Sequence, residues 1–533
     1  MDVPRSTFVT RPRRAALPAA PPPVARRDVT EFGVRRLLIV IGVMAAALMQ
    51  TLDSTITNVA LPTIQGNLGA SLDEGTWVVT SYVIAAIIVI PLTPWLQNRF
   101  GRKRYFLVSI AGFTLASIAC GAAQNLDVLI ISRVVQGAFG GGLLATSQAI
   151  LRETFPPRQL GASQAIFALG AIMGPALGPP LGGFLVDNAS WNWVFDINIV
   201  PGTLAIVLLG AMLRDPTDPY DMPADFVGLG FLTVSLGTMQ YIFTEGERHD
   251  WLSDPTIAAT SVVCLVSSVL FVWYELYGTR TPIVDLRILA NRSVAAGCAI
   301  AAALGAVVFG STYAIPQLTQ SDLGFTPTLS GELFILRAVP IALCTPLVVR
   351  FSSRVDTRVL LGIGFVGVAV GTALQALVTT GLSSYWTFAP ALIIVGAGSA
   401  FLWTPLAIAV LGATTPSEGP KAGAMINLAT QLGGSAAVAL LDVVVDQRMT
   451  FHSEVLGGNA TLRSIAVQHF LAGSGGLQQL SAIVGREAAI LAYADATWAI
   501  ALVAAICTPL VFLMRKPRPM RPAAGSTAQI AEA

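Results

Sequence analysis

About fourteen apolar runs, each near twenty residues long, recur between Leu37 and Leu513 with short polar breaks between them. Each is long enough to cross roughly 30 Å of hydrocarbon as a helix. A soluble domain cannot bury so much apolar surface, and the balance of 54% hydrophobic to 12% charged residues excludes one. The runs are continuous and rich in Gly and Ala, whereas a closed barrel would show shorter alternating segments. The sequence therefore predicts an all-α polytopic membrane protein. Its spans are expected to begin near 37, 75, 104, 128, 161, 193, 226, 256, 293, 330, 358, 387, 422 and 491.

Charge placement sets the expected orientation. With fourteen spans and both termini cytoplasmic, all but six of the 32 Lys and Arg residues fall on the cytoplasmic side, as the positive-inside rule requires. Arg248, Arg448, Arg463 and Arg486 lie outside, and Arg133 and Arg337 lie in the membrane. Residues 1-36, rich in Pro and Arg and lacking an apolar core with a cleavage site, read as a disordered cytoplasmic tail followed by an uncleaved anchor. Next come an N-terminal six-helix bundle (37-214), a linker with two inserted transmembrane helices (215-292), and a C-terminal six-helix bundle (293-514). The second bundle carries an outer loop at about 446-490, suited to docking a partner or merely idle, and a second cytoplasmic tail covers 515-533. The basic turns Asn98–Arg104 and Ser353–Arg358 are a faint internal echo of two repeated halves.

Several chemistries find no support. There is no GxxxxGK[ST] phosphate loop and no HExxH pair; His249, His452 and His469 fall outside the core. Gly362 to Gly367 spells GxGxxG inside an apolar span, where close helix packing explains it better than a dinucleotide. The five cysteines are scattered singly, without metal or disulfide spacing. No enzyme, metal site, cofactor or nucleic-acid partner is expected.

The polar groups inside the spans are the candidates. A carboxylate near mid-membrane costs roughly 2.5 to 3.5 kcal/mol on insertion scales, so Asp53 in the first span is a candidate proton site. Gln50, Asp53 and Thr57 share a helix face, a polar stripe directed at a cavity or a neighbouring helix. A purely structural Asp is the competing reading. In span four, Arg133, Gln136, Gly137 and Gly140 share a face, so Arg133 can balance a carboxylate or serve only as an ion-pair member. Span ten adds Glu332, a second candidate proton carrier, and the deeper Arg337. Asp196, Asp442 and Asp495 read as solvated boundary acids. Span five contains Gly170, Gly174, Pro175, Gly178, Gly182 and Gly183, which suits a kinked hinge helix in tight contact with a neighbour.

Together these motifs resemble the major facilitator superfamily, and within it the fourteen-span drug/proton antiporters of the EmrB/QacA type, over about residues 37 to 515. Leu52 to Pro62 looks like that subfamily's first-span signature, and Trp77 to Tyr82 resembles the start of its second span. Arg133-Val134-Val135-Gln136-Gly137 matches RxxQG, and Gly170 to Gly183 is similar to the antiporter motif GxxxGPxxGG. Trp191 to Asn198 resembles WRWIFxIN, and Asn427 to Ser435 resembles NLxRQLGGS. Asn192 and Thr430 replace the usual Arg residues. In the cytoplasmic gating loop GxLaDrxGrk, Pro94 and Asn98 replace the Gly and the acid, while Arg99, Gly101, Arg102 and Lys103 remain.

The resemblance implies a proton-coupled exporter of hydrophobic or amphipathic compounds in the inner membrane, driven by the proton gradient with no cofactor. It assigns proton transfer to the Arg133 position and export direction to span five. A dedicated exporter of one metabolite, antibiotic or siderophore remains open. So does partnership with a periplasmic adaptor and an outer-membrane channel. A non-transporting sensor is a third reading, favoured by a soluble signalling domain that this sequence does not display.

Overall fold

The computed structural model describes residues 33–156, 159–214, 225–246, 249, 251–279, 282, 284–352, 354–414, 418–460, 467–468 and 476–514. Both expected tails beyond these limits, most of the 215-292 linker's polar part, and Arg248, Arg463 and His469 lie outside the described residues. Among the described residues the regular structure is helical, with no strand.

The first half comprises α1 (Val34–Leu68), α2 (Leu72–Phe100), α3 (Arg102–Gly121), α4 (Leu126–Gly140), α5 (Leu143–Thr154), α6 (Leu160–Asn188), the single turn α7 (Trp193–Asp196) and α8 (Ile199–Met212). An inserted pair follows, α9 (Phe226–Glu245) and α10 (Pro255–Trp273). The second half comprises α11 (Arg292–Gln317), α12 (Pro327–Ser352), α13 (Thr357–Val378), α14 (Tyr385–Leu411), α15 (Gly419–Asn459) and α16 (Leu477–Leu510). Helices α4 and α5 make one crossing, broken at the glycines 140–142, and α7 and α8 make another. Thirteen segments are long and apolar enough to cross a membrane. Helix α6, of 29 residues with Asp187 as its one charged side chain, completes fourteen.

Local chemistry sets the helix starts. Ser71 and Glu74 form a reciprocal capping box at α2. Asn125, Asp225, Asp254, Asn291 and Asp356 accept from backbone N–H groups in the first turns of α4, α9, α10, α11 and α13. Each satisfies donors that the helix itself cannot pair. At Asp254, the backbone N–H groups of Thr256 and Ile257 hold the carboxyl below the ordinary carboxylate range. Gly101 joins α2 to α3 in a single residue at φ +84°, a conformation that favours glycine.

Thirteen helices begin within three residues of the expected positions, and α1 takes in residues 34–36 of the expected tail. The last helix departs. The segment expected as an outer loop at about 446-490 is largely helix: α15 runs 41 residues to Asn459, and α16 starts at Leu477. At about 1.5 Å per residue, α15 is about 60 Å long, twice the hydrocarbon thickness. Polar side chains mark the exit from lipid, but they do not end a helix that water can solvate. Asp495, expected as a solvated boundary acid, instead ties the two helices together. Its Oδ2 accepts from Arg448 Nε at 2.5 Å and lies 2.7 Å from His452 Nε2.

Each half has its own apolar core, one around Ile39, Phe106, Phe113 and Leu143, the other around Val294, Leu361, Phe365 and Leu402. The halves meet most extensively along α6 and α12. The Gly362–Gly367 run lies inside α13, where Gly364 and Gly367 meet Gly398 of α14, a packing role. Helices α9 and α10 pack on each other, with α9 against α2 and α15. Trp77 Nε1 donates to Glu245 Oε1 at 2.6 Å, fastening α9 to α2.

Candidate functional site

Helix α1 buries Asp53 at 0% exposure, mid-way along its 35 residues. The carboxylate is fully engaged. Arg133 Nη1 of α4 donates to its Oδ2 at 2.7 Å. Gln136 Nε2, one turn further along α4, donates to Oδ1 at 2.8 Å, and Asn198 Nδ2, the residue before α8, donates to the same oxygen at 2.8 Å. Gln136 Oε1 also accepts from Arg133 Nη1 at 2.7 Å, and Gln136 Nε2 donates to Ser117 Oγ at 2.7 Å. Arg133 Nε donates to the Val78 carbonyl of α2 at 2.9 Å. The guanidinium lies 4.3 Å from the Tyr82 ring centroid and 5.6 Å from that of Phe195, which caps it with π faces.

Such a cluster is held by geometry as much as by charge. Removing both ions from water is expensive, and the attraction repays it only when the remaining donors and acceptors are satisfied. Here α1, α2, α3, α4 and the α7–α8 junction each supply a group. The spacing of three between Arg133 and Gln136 puts both on one face of α4. On the same helix, a side chain on Gly137 would collide with the Tyr82 carbonyl, and one on Gly140 would crowd Phe113 at 3.0 Å. The small residues let α4 approach α2 and α3 closely enough for the pair to form.

The other expected site residues are distributed unevenly. The stripe Gln50, Asp53, Thr57 is consumed inside the bundle and does not line an open cavity. Gln50 Oε1 accepts from the Leu144 N–H of α5 at 2.9 Å, and Thr57 Oγ1 donates to the Asp53 carbonyl at 3.0 Å. Glu332 is not brought to Asp53: it lies in the second turn of α12, half-buried, and no hydrogen bond or ion pair joins it to the cluster among the described residues. Span ten crosses in the second half, so a shared membrane depth does not make the two acids neighbours. Arg337, buried on α12, likewise shares no ion pair with that cluster. Its backbone abuts Gly396 of α14.

The glycines of α6 divide between two partners. Side chains added at Gly170, Gly174, Gly178 and Gly182 would strike Met44, Thr51, Thr55 and Ile56 of α1, one stripe at i, i+4 spacing. Gly183 instead meets Pro327 of α12, and Gly331 of α12 meets Pro179 of α6. Pro175, Pro179 and Pro180 lie within this helix. Helix α6 is thus wedged between the helix that carries Asp53 and the opposite half. At the gating loop, Arg102 pairs with Glu153 of α5 and donates to Gln97 Oε1 at 3.2 Å, while Lys103 Nζ donates to the Gly210 carbonyl at 2.8 Å. Arg99 closes the last turn of α2.

Asn198, Ser117 and Tyr82 were not singled out by sequence reasoning as site residues. Asn198 stands in the Trp191–Asn198 segment, and that segment was the signal available. Ser117 carries none, because a serine on a helix gives no hint of what faces it.

Among the described residues, fourteen crossings in two halves, with a saturated ion pair buried inside the first, have the architecture of a membrane transporter. Residues 43–313 and 297–452 match the Major Facilitator Superfamily, and the chain belongs to that family. It is a multi-pass protein of the inner membrane. It is 37% identical over 339 residues to the multidrug export protein EmrB of Escherichia coli K12, covering 63% of this chain and 66% of that protein, just under two thirds of its length. It is 30% identical over 432 residues to the multidrug resistance protein B homolog of Mycobacterium tuberculosis H37Rv, covering 79% and 78%. The fold is shared with a bacterial homolog of the human lysosomal transporter Spinster, at TM-score 0.60 and 14% identity over 90% of this chain and 97% of that one.

Proposed function

We propose that the protein is a proton-coupled antiporter that exports hydrophobic or amphipathic compounds, with Asp53 as proton carrier and Arg133 as its counter-charge. The observation that carries this reading is the Asp53–Arg133 pair, wholly buried and 2.7 Å apart, with Asp53 on the helix that α6 grips and Arg133 on α4. When both groups are charged, the pair is locked. Protonating Asp53 removes the charge–charge attraction and leaves the guanidinium held by Gln136, the Val78 carbonyl and the Tyr82 ring, so the local packing of α1 against α4 depends on the proton. The chain transports its cargo unchanged and draws energy from the gradient with no cofactor. Each charge moved inward contributes roughly 2.3 kcal/mol per 100 mV.

The likeness to multidrug export and resistance proteins supports drug-like substrates. Both termini face the cytoplasm in this reading, in keeping with the distribution of Lys and Arg. The projecting ends of α15 and α16 then stand on the periplasmic side, where an adaptor leading to an outer-membrane channel would dock. Asp53→Asn should abolish pH-driven efflux from reconstituted vesicles while leaving the folded protein in the membrane. Undiminished efflux would sink the assignment.

A further inference from the structure

The cluster around Asp53 is complete for a carboxylate and mismatched for a carboxylic acid. All the side-chain groups aimed at its two oxygens are donors: Arg133 Nη1, Gln136 Nε2 and Asn198 Nδ2. A proton handed over by a hydronium ion breaks its O–H bond there and forms one at Oδ1, where it then faces two N–H groups. One of the two amides must turn to offer its carbonyl.

Gln136 is not free to turn. Its Oε1 accepts from Arg133 Nη1 at 2.7 Å and from Cys120 Sγ at 3.6 Å, and its Nε2 also donates to Ser117 Oγ at 2.7 Å. Asn198 differs on each count. Its Oδ1 is buried and accepts no hydrogen bond, and the second bond of its Nδ2, to Ser117 Oγ, is long at 3.3 Å. An idle buried carbonyl is costly, and the charged carboxylate is what keeps the amide in that orientation.

We propose that Asn198 is the positioning residue that reads the protonation state of Asp53: its amide donates to the carboxylate and, after turning about Cβ–Cγ, accepts from the acid. The turn exchanges the long Ser117 contact for a new O–H···O bond and puts the idle carbonyl to use. Because Asn198 is the residue that leads into α8, the protonation signal passes to a helix packed on both α1 and α3. This inference rests on Asp53 being the proton carrier.

The other titratable groups near the carboxylate do not supply the missing acceptor. Arg133 of α4 is a donor only, Tyr82 of α2 lies with its ring face against that guanidinium, and Cys120 of α3 is engaged with Gln136. Asp196 of α7 lies against Gly121 of α3, and no hydrogen bond joins it to Asp53 among the described residues. The acids of α5 and α6, Glu153 and Asp187, are engaged with Arg102 and Thr328. Helix α8 carries no ionisable side chain. Asp322, which follows α11, and Glu332 and Arg337 of α12 share no hydrogen bond or ion pair with the cluster among the described residues.

The test is pH-difference infrared spectroscopy on the full chain in lipid vesicles, with Asp53→Asn identifying the carboxylic-acid C=O band of Asp53. In Asn198→Leu the band should move to higher wavenumber, because the acid proton has lost its acceptor. Wild type grown with asparagine labelled at the side-chain carbonyl gives a second readout that needs no core variant. A labelled C=O band should shift as Asp53 titrates and stay still in Asp53→Asn. An Asp53 band unmoved in folded Asn198→Leu, or a labelled amide that ignores the titration, overturns the role of Asn198 and leaves Asp53 as carrier. Absence of any titrating Asp53 band overturns the carrier assignment itself, and this inference with it.

Discussion

The two halves of the molecule bury cations in opposite ways. In the first half, Arg133 is matched by Asp53, the Gln136 amide, a backbone carbonyl and two aromatic faces, contributed by α1, α2, α4 and α7. In the second, Arg337 lies buried on α12 with no ion pair among the described residues, one turn from Leu333 and Phe334 of the apolar cluster. The difference teaches where charge can change. A saturated pair has a defined response to a proton, because one protonation breaks a specific set of bonds. A lone cation has no such partner, and its neighbours do not register pH.

Substitutions that remove one side of this contrast should differ in size. Arg133→Leu leaves the Asp53 carboxylate buried and unpaired and should destabilise the protein by about 3–5 kcal/mol. Adding Asp53→Leu should restore most of that loss while transport stays absent. Thermal unfolding in detergent separates the two effects, and a double variant no more stable than the single one would break the pairing account. Gly174→Val forces a side chain into Thr51 and should cost about 1–3 kcal/mol, with slowed transport, because α6 can no longer close on α1. Gly66 or Gly230, which have open space around a Cβ, provide controls that should barely respond.

The second half should respond less. Arg337→Leu replaces a buried cation that makes no ion pair among the described residues with apolar volume and should leave stability within about 1 kcal/mol of wild type or raise it. A large loss would show that Arg337 has a partner of its own and would narrow the contrast. Smallest of all, Glu332→Gln should change the pH profile of efflux by less than about half a unit, since no hydrogen bond or ion pair joins it to the cluster among the described residues.

Much of this was legible in the residues. Fourteen crossings follow from apolar run length alone, because no other structure satisfies that much backbone in lipid. The meeting of Asp53 with Arg133 was also within reach, since two opposite charges in thin apolar spans have few other partners. The glycine stripe of α6 announced a close neighbour, although which helix it faced did not follow. Three things were hidden for physical reasons. The helical continuation of α15 past Asp446 reads as a loop, because polarity reports solvent and not backbone conformation. That Glu332 shares no hydrogen bond or ion pair with the Asp53 cluster was hidden because hydropathy places a residue in a span without saying what its side chain faces. Asn198 joins the site from a helix junction, where the local sequence describes a turn and says nothing of a carboxylate on α1.

The central claim is that Asp53 exchanges its proton for substrate, and proton release on substrate binding tests it most directly. Purified protein in weakly buffered detergent solution, mixed with a transported amphipathic compound, should release a proton detectable with a pH dye at a pH where Asp53 is protonated. Asp53→Asn should bind the same compound and release none. Equal release by wild type and Asp53→Asn would contradict the account.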